Sequence, residues 1–115
     1  MKIFSAIFLM GTIFSSSAFA KDFHLKCVAS YNADKVLETE VKLPAGVKSL
    51  GFGSFEEFDF YLTQTGENTV ELQALYNADP SRSYATAKLT DSSSFVELSI
   101  WRREFIMEVR CTVID

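Results

Sequence analysis

From Phe23 to Val113 the apolar and polar side chains alternate with a period of two, and no segment sustains an apolar face at helical spacing. In FHLKCVASY the residues Phe23, Leu25, Cys27, Ala29 and Tyr31 fall on one side, and His24, Lys26 and Ser30 on the other. In VLETEVKL, Leu37, Thr39, Val41 and Leu43 oppose Glu38, Glu40 and Lys42. Side chains of an extended chain point alternately to opposite faces, so each stretch describes a strand with one buried face. The pattern predicts an all-β protein.

Seven strands are explicit, at 22–31, 36–43, 57–64, 68–76, 83–90, 95–101 and 104–114, and the segment 47–52 supplies an eighth. A hairpin must pair inward residues with inward residues or the core face is lost. On that rule Leu62 pairs with Val70 and Phe60 with Leu72. After a turn at Asn77–Arg82, which is rich in turn formers, Ala74 pairs with Ala85 and Leu72 with Ala87. Leu89 then pairs with Val96 across Asp91–Ser94, and Val96, Leu98 and Ile100 meet Val109, Met107 and Phe105. The last reversal falls on Arg102-Arg103, best as a four-residue loop from Trp101 to Glu104, since two-residue hairpin turns require positive φ. On the outer face this register sets Glu97 opposite Glu108, with Arg110 diagonal to both. Eight strands in meander order bring the first and last together antiparallel and predict a small up-and-down barrel. A β-sandwich is the alternative.

The chain opens MKIFSAIFLMGTIFSSSAFA, with one basic residue, an apolar stretch and an Ala18-Phe19-Ala20 ending of the kind signal peptidase reads. Residues 1–20 are expected to be a signal peptide, and the apolar run from Ile3 to Phe14 is short of the roughly 20 residues that span a bilayer. The rest, 21–115, is long enough for one domain with one core. The expected location is exported, in the periplasm or outside the cell. There the two cysteines, Cys27 and Cys111, form a disulfide. Both fall on the core face, one on the first strand and one on the last.

The net charge is −4, one unit more negative without Lys2, and no run of Lys or Arg exceeds two. That balance argues against a nucleic-acid partner. The outward positions carry Glu38, Glu40, Asp59, Glu71, Lys88 and Glu97, which a membrane-spanning barrel cannot turn toward lipid. The chain is therefore not expected to span a membrane.

Chemistry is sparse. The single histidine, His24, lies on a polar face near one end of the mature chain, so neither the common zinc sets nor a Ser-His-Asp triad assembles readily. Gly51-Phe52-Gly53 lacks the Lys-Ser/Thr and the helix of a phosphate loop and reads as a bend or bulge. Glu56, Glu57 and Asp59 read as a solvated strand face rather than a calcium site. No enzyme, cofactor or metal is expected.

Two regions bear on binding. Trp101, Arg102 and Arg103 at the last reversal, with Arg82 from the preceding turn, are of the residue types that dominate interface hot spots. Ala74, Ala85 and Ala87, grouped with Phe60 and Met107, either receive large side chains from the opposite wall or line an apolar cavity. The expected function is recognition of a protein or cell-envelope component by the surface. The alternative is carriage of a small apolar ligand inside the barrel. In architecture the chain resembles small periplasmic barrel inhibitors and adaptors, and in strand order it resembles lipocalins. No family motif carries over from either.

Overall fold

The computed structural model describes residues 21–46 and 49–114; the expected signal peptide lies outside the described residues. Eight strands follow in order: β1 (Phe23–Tyr31), β2 (Asp34–Leu43), β3 (Leu50–Phe55), β4 (Phe58–Gly66), β5 (Thr69–Tyr76), β6 (Ser81–Lys88), β7 (Phe95–Trp101) and β8 (Ile106–Val113). They build two antiparallel four-stranded sheets, ordered β2-β1-β8-β7 and β3-β4-β5-β6. The meander order is as the alternation predicts, and the first and last strands pair antiparallel from Leu25↔Val113 to Tyr31↔Met107. Hydrogen-bonded pairing stops between β2 and β3 and again between β6 and β7, so the ring opens at two seams. The result is the sandwich form of the meander.

Cys27 faces Cys111 directly, with Cα atoms 4.0 Å apart, and the two form a disulfide. Both are fully buried, among Leu25, Ala29, Val96 and Val109 of the same sheet and Phe60, Leu62, Val70 and Leu72 of the other. The inward set of every long strand is the one that the period of two selects.

Local turns follow from the residues that can adopt them. Asn32 and Ala33 both have positive φ, 52° and 74°, as a two-residue type I′ turn between β1 and β2 requires. Asn32 then extends the β1–β8 ladder, since its N–H donates to the Ile106 carbonyl and its Oδ1 accepts from the Ile106 N–H, each at 2.9 Å. The Gly51-Phe52-Gly53 segment is a bulge in β3, with Gly51 opposite Tyr61 and Gly53 opposite Phe60. Gly53 has a second task at the β2–β3 seam. A Cβ there would lie 2.8 Å from Leu37 Cδ2, so the bare backbone lets Leu37 of one sheet rest on the other.

An aromatic cluster joins the sheets at the end where β7 turns into β8. Phe58 stacks on Tyr76 at 4.6 Å and meets Phe105 edge-on at 5.6 Å. Tyr31 lies 5.3 Å from both Phe55 and Phe105. These rings come from both sheets, and edge-to-face and offset pairs add to the stabilisation from burial alone.

Four registers differ from expectation, three of them by two residues. Leu62 faces Leu72 and Phe60 faces Ala74; Leu72 faces Ala85 and Ala74 faces Ser83; Val96 faces Cys111, Leu98 faces Val109 and Ile100 faces Met107. A shift of two keeps every side chain on its face, and the turns decide the remainder. The strands run further into the turns than composition suggests: Ser81 and Arg82 join β6, and Gly66 closes β4 against Thr69. At the last hairpin Trp101 pairs with Ile106, and the loop is Arg102–Phe105, because Phe105 turns inward to join the aromatic cluster. The fourth difference is between β6 and β7, which form no ladder; the expected Leu89–Val96 pairing is replaced by a seam. The register also removes the expected clash of Glu97 with Glu108. Glu97 faces Arg110 and Glu108 faces Ser99.

Candidate functional site

β6 and β7 are terminal strands of different sheets and lie side by side along one seam. Their outward residues are Arg82, Tyr84, Thr86 and Lys88 on β6, and Phe95, Glu97, Ser99 and Trp101 on β7. Among the described residues the exposed large hydrophobic side chains are Tyr84 at 59%, Phe95 at 43% and Trp101 at 72%. All three belong to these two strands. Phe95 and Trp101 stand at opposite ends of β7 and Tyr84 on the neighbouring strand; an exposed apolar residue standing singly is ordinary, and exposed aromatics sharing one face are the candidates for contact with another molecule.

Arginines hold two of the three rings. The Arg82 guanidinium lies over Tyr84 at 5.7 Å from the ring centroid, and that of Arg110 lies over Phe95 at 4.1 Å. Arg110 also pairs with Glu97 at 3.1 Å. A cation over an aromatic face is attracted by the ring quadrupole and limits the rotamers of both partners. Two of the three rings are thereby restrained.

The Trp101-Arg102-Arg103 segment divides in two. Arg102 turns back onto the protein: its Nη1 donates to Asp79 Oδ2 at 3.0 Å, its Nη2 donates to Ser81 Oγ at 2.9 Å, and its guanidinium lies 5.3 Å from the Tyr76 ring centroid. It ties the β7–β8 loop of one sheet to the β5–β6 turn of the other. Its backbone N–H donates to the Phe105 carbonyl at 2.8 Å, closing the loop. Trp101 and Arg103 remain exposed, as does Arg82. Of the four residues singled out in the sequence, three therefore reach solvent and Arg102 is a strut. Arg102→Ala is expected to lower stability by about 1 kcal/mol, since a forked, half-exposed pair and its ring contact are lost together. An unchanged urea midpoint in that variant would refute the strut.

Tyr84 and Phe95 escaped the sequence reading although their signal was present. Both stand at outward parity, next to inward Ala85 and Val96, where an aromatic ring has no core to fill. The five cavity candidates lie on the inner side. Phe60, Met107 and Ala74 are buried in the core, and Ala85 and Ala87 pack against it half-exposed. With only Ser81, Ser83, Ala85 and Ala87 inward on β6, β7 settles close, and its Cα atoms come within 8 Å of β5 as well as β6. The small side chains thus accommodate an approaching strand. A cleft of about 510 Å³ opens at the other end of the strands, between Asp22, His24, Thr90, Asp91 and Ile114, and none of the five lines it.

Other polar groupings are solvated. Glu38 receives hydrogen bonds from Lys26 and Lys35, and these, with the two positive charges, hold its carboxyl down at about 2. His24 Nε2 meets Glu40 at 3.2 Å on the same outer face. Among the described residues no three His, Cys, Asp or Glu side chains are grouped to hold a metal. No helix among them is long and apolar enough to cross a membrane. Comparison with protein-family models, with curated proteins and with solved structures found no match for this chain.

Proposed function

We propose that the chain is an exported, non-catalytic β-domain that recognises a protein or cell-envelope component through the β6–β7 face. The observation that carries this reading is that Tyr84, Phe95 and Trp101, the exposed large hydrophobic side chains among the described residues, all lie on the outer face of two adjoining terminal strands, with arginines over two of the rings. Trp, Tyr and Arg are enriched among the few residues that dominate binding energy in protein interfaces, and Tyr and Trp bury large area at little conformational cost. The N-terminal pattern and the buried disulfide suit an oxidising compartment outside the cytoplasm.

Immobilised protein exposed to envelope extract is expected to retain a defined component. Tyr84→Ala combined with Trp101→Ala is expected to weaken that retention about tenfold or more, the usual effect of removing two central aromatic anchors, with no loss of thermal stability. Equal retention by the double variant contradicts the reading.

A further inference from the structure

We infer that the β6–β7 face pairs with a second copy of this chain about a two-fold axis running along the seam, an inference that rests on the recognition reading above and makes self-association compete with it for one surface. Self-complementarity across that axis carries it. The ladders set Leu75 beside Arg82, Gln73 beside Tyr84 and Glu71 beside Thr86. On the other side of the seam they set Trp101 beside Ile106, Ser99 beside Glu108 and Glu97 beside Arg110. The seam itself has no ladder, but its two ends are matched: Lys88 and Phe95 flank the loop that joins the strands, and Arg102 Nη2 reaches Ser81 Oγ at 2.9 Å. The rows of outward residues therefore run across the seam, with Arg82 beside Trp101, Tyr84 beside Ser99, Thr86 beside Glu97 and Lys88 beside Phe95.

A two-fold axis along the seam brings each β6 residue onto the β7 residue of its own row in the second copy, and each β5 residue onto the β8 residue. Arg82 then meets the second copy's Trp101 indole, and Lys88 meets the open side of its Phe95 ring, each a cation against an aromatic face. The Thr86 hydroxyl donates to Glu97, and Tyr84 meets Ser99, hydroxyl to hydroxyl. Farther out Glu71 meets Arg110, Gln73 meets Glu108 and Leu75 meets Ile106. Like charges meet in none of these pairs. The other two-fold within the face, across the strands, sets Lys88 against Arg82 on both sides and is disfavoured. The charges balance as self-pairing requires: the outward residues of β5 to β8 hold three cations, Arg82, Lys88 and Arg110, and three acids, Glu71, Glu97 and Glu108. The turns at the Trp101 end add Arg102 and Arg103 against Asp79 and Glu104, and the loop at the other end adds Asp91. Most of the excess acid of a chain of net charge −4 therefore lies elsewhere, and two copies meet here with little net repulsion.

Trp101 is the only tryptophan, so its emission follows occupancy of the face. A contact centred on two strands falls short of the roughly 800 Å² per partner of a standard complex, so the dimer is a weak one, expected at about 500 µM and dissociated at about 5 µM. Sedimentation equilibrium over that range, with Trp101 emission recorded on the same samples, measures it. Glu71→Arg and Arg110→Glu are each expected to weaken association at least tenfold, because each sets like charges together on both sides of the axis. Mixed in equal amounts the two variants are expected to associate again, since the mixed dimer restores an opposite-charge pair on each side. Arg110 also holds Phe95 and Glu97 in its own chain, so the mixture is the decisive arm. A monomer's mass at every concentration, a mixture no more associated than its components, or association that leaves Trp101 emission unchanged each overturns the inference. A monomer throughout whose capture of an envelope component is still lost in Tyr84→Ala/Trp101→Ala removes the second copy and leaves the recognition reading standing. A dimer whose capture is indifferent to that double variant keeps the second copy and removes the recognition reading.

Discussion

Replacing Cys27 and Cys111 together by alanine is expected to lower the unfolding free energy by about 4 kcal/mol, and the melting temperature by about 15 °C or more for a domain of this size. The bond closes a loop of 84 positions, nearly the whole described chain, so its removal frees almost the entire unfolded ensemble. The native state loses little, because β1 and β8 already pair along seven residues around it. Alanine is the right replacement: both positions are fully buried, and serine would add hydroxyls with no assured partner. Calorimetry of the double variant beside the oxidised wild type checks the figure. A loss below about 1 kcal/mol would contradict the loop-closure origin of the stabilisation.

Phe58→Ala is expected to cost about 3–5 kcal/mol, the range for deleting a buried aromatic ring and leaving its cavity. Phe58 is 1% exposed and touches rings of both sheets, Tyr76 on its own and Phe105 on the other. Its loss also loosens Phe105, the inward anchor of the loop after Trp101, and Tyr76, on which Arg102 rests. The outer face of β7 and the core are thus coupled at this end. Phe58→Leu, which keeps most of the volume, is expected to cost less than half as much. Urea unfolding of the two variants separates packing from ring geometry, and equal midpoints for Phe58→Ala and wild type contradict the assignment.

The faces of the strands were legible in the sequence and the registers were not, for a single physical reason. A period of two records which side of a sheet a residue occupies and is blind to a slide of two residues. Leu62 against Val70 and Leu62 against Leu72 satisfy it equally, and the choice falls to Gly66, Asn68 and a bulge near Thr65. At Arg102–Phe105 the choice was made by a ring seeking the Tyr31–Phe58–Tyr76 cluster, a contact between segments far apart in the chain. The disulfide needed only face and strand order, both of which the alternation supplies. Barrel or sandwich depended on whether the seams carry ladders, which no local pattern records. On the surface, Trp101 and Arg103 stood out as a cluster, while Tyr84 and Phe95 became significant only once β6 and β7 were seen to adjoin.

The most direct measurement is a set of cross-strand nuclear Overhauser contacts in isotope-labelled protein. Ladder contacts are expected between Leu25 and Val113, Cys27 and Cys111, and Ala29 and Val109, with none of ladder type between β6 and β7. A first strand without the last as its neighbour, or a continuous ladder across the β6–β7 seam, would contradict a two-sheet sandwich joined through its ends.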